Sequence, residues 1–171
     1  DWELVTEHFG MEKERLWATV FEGGAGVPAD DDAQDLWGKV TDLPADRVVR
    51  LPAKDNFWEM GETGPCGPCS ELHYYLGEDI SLQNEALFRQ DGPEFVEIGN
   101  LVFIQFNRDA SGALQPLPSQ HVDTGTGFER LCSLLQNKTS NYDTDVFRPL
   151  IEGIADVTGG DPDNDSGRVP M

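Results

Sequence analysis

Two stretches of this sequence carry residues whose types and spacing could do chemistry. The first is GPCGPCSE at residues 64 to 71, with Cys66 and Cys69 at CxxC spacing. Such a pair suits zinc or dithiol redox chemistry. A structural zinc needs four ligands, and the other candidates are His73 nearby and His121 and Cys132 far off, with no second CxxC and no HxxxH. A thioredoxin-like pair opens a helix, whereas here prolines and glycines surround the thiols. The remaining reading is a stiff turn whose Gly and Pro residues bring backbone close to a ligand or another strand.

The second stretch is HVDTGTGFERL at residues 121 to 131. A strand end delivers Asp123, Gly125 and Gly127 permit close backbone approach, and a helix begins. Half of a dinucleotide fingerprint is present, but a third glycine and βαβ spacing are missing, so a Rossmann site is not expected. What is left is a glycine-lined floor with Asp123 suited to a cation and Arg130 suited to stacking on a base or clamping phosphate. The competing reading is local: Glu129 sits near the positive helix end and Arg130 joins a surface salt bridge.

These residues need elements to position them. Trp2, Val5 and Phe9 read as the last turns of a helix before Gly10, and LWATVF at 16 to 21 reads as a strand. An Asp N-cap predicts a helix over 31 to 40, with Ala33, Leu36, Trp37 and Val40 at helical spacing. A short strand is expected at 47 to 51 and a loop at 61 to 68. ELHYYL at 71 to 76 alternates Leu72, Tyr74 and Leu76 against Glu71, His73 and Tyr75, which predicts a half-buried strand. The longest strand signal is FVEIGNLVFIQF at 95 to 106, with Val96, Ile98, Asn100, Val102, Ile104 and Phe106 on one face. Asn100 is the polar break in that row and must find a partner. A turn in DASGAL and a return strand at 113 to 117 complete a hairpin. Helices follow over 128 to 136, with Phe128, Leu131, Cys132 and Leu135 on one face, and over 145 to 157, with Val146, Leu150, Ile154 and Val157.

Composition narrows the class further. The chain has 171 residues, 38% hydrophobic, which suits one folded domain or part of a larger one. Its 12 basic and 32 acidic residues give a net charge of −20, which argues against gripping a polyphosphate backbone over a wide face. Any nucleic-acid partner is expected to dock elsewhere. No run of about 18 apolar residues marks a membrane span, and no basic stretch precedes an apolar one as in a signal peptide. Three cysteines, two of them in one CxxC, fit reducing cytoplasm better than a secreted disulfide scaffold. The chain opens inside a helical pattern and stops in a loop, so both ends read as cut.

Read together, DNFWEMGETGPCGPCSE, GNLVFIQFNRDASGALQPLP, HVDTGTGFER and SNYDTDVF occur in this order between residues 55 and 147. They closely resemble the alanyl-tRNA synthetases, a branch of the class II synthetases, and the resemblance runs from about Trp2 to the end. It implies an α+β fold, an antiparallel sheet flanked by helices, and a partial catalytic domain over 1–171. Residues 121 to 131 resemble motif 3 of that class. Motif 1, which supports dimerisation, and motif 2, which supplies a further ATP-phosphate arginine, are expected upstream. The implied activity is ATP-dependent activation of alanine to alanyl adenylate and transfer to tRNA(Ala), with magnesium assisting and the tRNA read by regions outside this chain. A fragment alone is expected to be inactive.

By position, Trp58 resembles the family's tryptophan beside the amino-acid pocket and Asn100 the asparagine that hydrogen-bonds the amino acid. Asp123 resembles the residue holding the substrate ammonium, Gly125 the close-approach backbone beside it, and Gly127 and Arg130 the ATP-contacting part of motif 3. No nucleophilic side chain is implied. Three positions depart from the usual pattern: Gly99 stands where tryptophan often precedes the asparagine, Thr126 stands in place of methionine, and Leu76 lies where some members continue CxxC with a zinc-suited histidine. Two rival functions remain, a free-standing editing or transfer homologue, whose HxxxH is missing, and a CxxC metal or acidic interaction module without catalysis.

Overall fold

A computed structural model of the chain describes residues 1–24 and 26–163. They form two compact units, Asp1–Thr126 and one that begins at Gly127. The first unit is built on a six-stranded sheet, and the fold class is α+β, as expected. Its strands are β1 (Leu16–Phe21), β2 (Val48–Leu51), β3 (Phe57–Glu59), β4 (Gly64–Tyr75), β5 (Phe95–Arg108) and β6 (Leu114–Thr126). The order is β2-β1-β4-β5-β6, with β3 also paired to β4. All pairs are antiparallel except β1 with β2, which run parallel.

Local chemistry explains the helices. Ahead of β1, Leu4–His8 forms a π-helical turn that stops at Gly10, whose φ of 68° is the left-handed conformation glycine tolerates. Helix α1 (Asp31–Val40) starts where the Asp30 carboxylate accepts from the Ala33 amide at 3.0 Å. It buries Ala33 and Trp37, while Leu36 and Val40 of the predicted stripe stay exposed. The Trp37 indole donates to Ser70 Oγ at 2.7 Å, which fastens α1 to one face of β4. Short helices α2 (Ala53–Asn56) and α3 (Glu85–Phe88) supply buried Asn56 and Phe88. Phe88 stacks on Trp17 and, with Val49, Leu51 and Phe95, makes an apolar cluster at one end of the sheet.

Four expectations need correction. The glycine- and proline-rich stretch is a loop only to Thr63, because β4 begins at Gly64 and passes through both cysteines. Gly67 is what permits this: a Cβ there would lie 2.0 Å from the Phe103 carbonyl oxygen. Strand β4 is also not half-buried, since Leu72 and Tyr75 are buried on opposite pleats. In β5 the single apolar row is broken by register shifts, so that Glu97, facing His73, replaces Val96 in the row of Asn100. The return strand runs on to Thr126 rather than ending at 117, with a further register shift between Ile104 and Phe106. An outer strand tolerates its Pro116 and Pro118.

The second unit holds α4 (Phe128–Leu135) and α5 (Arg148–Thr158), joined through a 3-10 turn at Asn141–Asp143. Leu131 of α4 is buried, but Phe128 and Leu135 are exposed. In α5, Leu150, Ile154 and Val157 are exposed, so the predicted apolar stripe exists without a buried face among the described residues. The helix starts three residues later than the periodicity suggests, with Pro149 in its first turn.

Candidate active site on one face of the sheet

Strand register brings most of the predicted residues to one face. Thr19, Glu71, Asn100 and Gly125 stand opposite one another in a single row across β1, β4, β5 and β6. The next row carries Cys69, Val102 and Asp123. Alternation along a strand has a period of two, so Asn100 and Asp123 share this face. Trp58 faces Gly67 across the β3–β4 pair and falls on it as well. Helix α1 covers the other face through Ser70.

The floor of the site is narrow. A Cβ at Gly125 would lie 3.3 Å from Asn100 Oδ1, so the missing side chain leaves room above the asparagine. The Asn100 side chain is partly buried and makes no hydrogen bond to any described residue. Asp123 accepts from the Thr124 amide at 2.9 Å and is exposed on the outer strand. At Gly99, the departure from the usual tryptophan, an added Cβ would stand 2.9 Å from the Gly125 carbonyl oxygen. Trp58 is partly buried.

Gly127 and Arg130 belong to the second unit. Gly127 is the N-cap of α4, and its carbonyl accepts from Leu131 N at 2.9 Å. Arg130 lies exposed in the first turn, folded so that its Cδ would be 3.3 Å from a Cβ at 127. A cavity of about 340 Å³ in this unit is lined by Asn137, Lys138, Thr139, Asp143 and Arg148, none of them a predicted site residue.

The cysteines do not converge. Three residues apart in one continuous strand, Cys66 and Cys69 lie on opposite faces and have different neighbours. Cys66 stands near Arg108 and Glu59, while Cys69 stands near Asn56 and Glu71. Burial raises both thiol pKa values, that of Cys69 to about 12 with help from the negative charges of Glu71 and Glu97. Thiols that face apart cannot ligate one zinc ion, and the described residues hold no group of three or more His, Cys, Asp or Glu arranged for a metal.

Sequence reasoning missed a polar chain beside Asn100. The Asn56 amide donates to Thr19 Oγ1 at 2.8 Å and to the Cys69 carbonyl at 3.0 Å. The Thr19 hydroxyl donates to Glu71 Oε2 at 3.4 Å, and His73 Nε2 lies 3.0 Å from the same oxygen. Asn56 is fully buried, and its Oδ1 has no hydrogen-bond partner among the described residues. The available signal was the Glu and His on the polar pleats of ELHYYL, which solvent would have explained equally well.

A mixed, mainly antiparallel sheet flanked by helices is the architecture of a class II synthetase core. The family described as tRNA synthetases class II (A) matches residues 1–169, and the chain belongs to it. Among curated relatives, an alanine–tRNA ligase of Chlorobium phaeobacteroides is 52% identical over 92% of this chain and 17% of its own length. The mitochondrial alanine–tRNA ligase of Saccharomyces cerevisiae is 52% identical over 94% of the chain and 16% of its own length. The cytoplasmic alanine–tRNA ligase of Caenorhabditis elegans is 50% identical over 96% and 18%. The chain thus spans less than a fifth of the length of the curated relatives it matches. No helix among the described residues is long and apolar enough to cross a membrane.

Proposed function

We propose that this chain is part of the catalytic domain of an alanine–tRNA ligase, with motif 3 at residues 121 to 131 and motifs 1 and 2 in other parts of a longer protein. The observation that carries this reading is identity near one half to alanine–tRNA ligases along almost the whole chain. The shared face of Trp58, Asn100, Asp123 and Gly125 supports it. Alanine lies on that face, its ammonium against Asp123, its polar atoms within reach of the free Asn100 amide, and its methyl toward Trp58. Gly125 leaves room for it. Gly127 and Arg130 serve ATP, the arginine by stacking on the base or meeting phosphate.

The reaction needs positioning and charge stabilisation rather than a nucleophilic side chain. The alanine carboxylate attacks the α-phosphorus of ATP, the bond to the bridging oxygen breaks, and pyrophosphate leaves. Magnesium bound to the ATP phosphates would offset charge on their oxygens. Zinc has no fitting ligand set among the described residues, and no step uses it. Transfer to tRNA(Ala) relies on other parts of the protein, since a net charge of −20 repels tRNA at long range. The reading also places the protein in the cytoplasm.

Alanine-dependent ATP–pyrophosphate exchange by the full-length protein tests this, with the isolated 171-residue chain expected to show little or none. Exchange that does not respond to alanine would overturn the reading.

A further inference from the structure

We propose that Glu71 is a second carboxylate for the substrate's ammonium group, acting beside Asp123 and Asn100. This inference rests on the alanine-activating reading and extends it to a residue that the resemblance does not assign. Glu71 stands directly opposite Asn100 on the neighbouring strand, in the row that ends at Gly125. Directly opposite residues have Cβ atoms about 5 Å apart on the same face. The three acceptor groups therefore come from three adjacent strands, β4, β5 and β6, around one patch of sheet. An α-ammonium has three N–H donors to match them.

The state of the Glu71 carboxylate supports this. Its side chain is only 14% exposed, as is that of His73. One oxygen, Oε2, is held by Thr19 Oγ1 and His73 Nε2, and the His73 ring is fixed against Phe88 at a centroid distance of 5.0 Å. The other oxygen, Oε1, has no hydrogen bond to any described residue. No lysine or arginine among the described residues pairs with Glu71. A shielded carboxylate held by a hydroxyl and a histidine ring, with no lysine or arginine beside it, gains from a cationic ligand group at its second oxygen. Thr19, itself held by buried Asn56, and His73 set the direction in which the free oxygen is presented.

The test is Glu71→Gln in the full-length protein, which keeps the shape and removes the charge. The KM for alanine in pyrophosphate exchange should rise roughly tenfold or more, as expected for loss of a charge-assisted hydrogen bond, with the KM for ATP unchanged. Alaninol keeps the ammonium and lacks the carboxylate, whereas lactate carries a hydroxyl in place of the ammonium. Inhibition by alaninol should weaken by the same factor, and inhibition by lactate should not change. A merely structural role would weaken all three ligands together, and that result overturns the proposal. So does a folded Glu71→Gln protein with an alanine KM within twofold of the parent. Should that variant fail to fold, Glu71→Asp decides: the charge is kept with shorter reach, and an unchanged alaninol response overturns the assignment. A parent protein without alanine-dependent exchange would instead refute the functional reading itself, and this proposal with it.

Discussion

Asn100 and Gly125 face each other on adjacent strands so closely that one added carbon at 125 would come within 3.3 Å of Asn100 Oδ1. The contact is with the end of a side chain that can turn. Gly125→Ala should therefore leave stability nearly unchanged on this exposed outer strand while displacing the amide proposed to meet the amino acid. The expected result is a raised alanine KM with a urea midpoint close to that of the parent, measured by exchange kinetics and denaturation on the full-length protein.

Asp123→Asn removes the charge proposed to oppose the substrate ammonium without changing the side chain's size. A charge-assisted hydrogen bond contributes about 1.5–3 kcal/mol, so kcat/KM for alanine should fall roughly tenfold or more. The KM for ATP should stay put. Unchanged alanine kinetics in a folded Asp123→Asn protein would remove Asp123 from the site.

Gly67 and Gly153 make opposite predictions about stability. A Cβ at 67 would overlap the Phe103 carbonyl, and the β4–β5 pair must move to admit it. Gly67→Ala should destabilise by about 1–3 kcal/mol or more. Gly153 lies within α5 with nothing inside 4 Å of its added Cβ, so Gly153→Ala should stabilise that helix by about 0.5–1 kcal/mol. Denaturant midpoints of the two variants should move in opposite directions.

Cys69 yields a prediction in pH. Its pKa is raised to about 12 by burial and by neighbouring negative charge, above the ordinary value of about 8.5 in an unfolded chain. The unfolded state releases this proton first as pH rises. The contribution to stability is thus complete below about pH 8.5 and is lost progressively toward pH 12. At pH 8, iodoacetamide should label Cys69 and Cys66 slowly in the native protein and rapidly in urea. Rapid native labelling of Cys69 would contradict its burial.

Elements whose signals are local were legible from the residues alone. The Asp30 cap and the spacing of Ala33 and Trp37 set α1, the β-branched run through Val102 set β5, and the ordered motifs around Trp58, Asn100, Asp123 and Arg130 pointed to the family. Those features depend on residues within a turn or two of each other. Tertiary structure decided what depends on partners distant in the chain. Gly64 to Pro68 look like a loop until β3 and β5 offer their backbone hydrogen bonds, and CxxC looks like a metal site until the pleat turns its thiols apart. Register shifts in β5 moved Glu97 into the row expected for Val96, because a single bulged residue reverses every side chain beyond it. A charged residue such as Glu71 on an alternating strand reads as solvent-facing, and only the packing of Thr19, His73 and Phe88 around it turned that polar pleat inward.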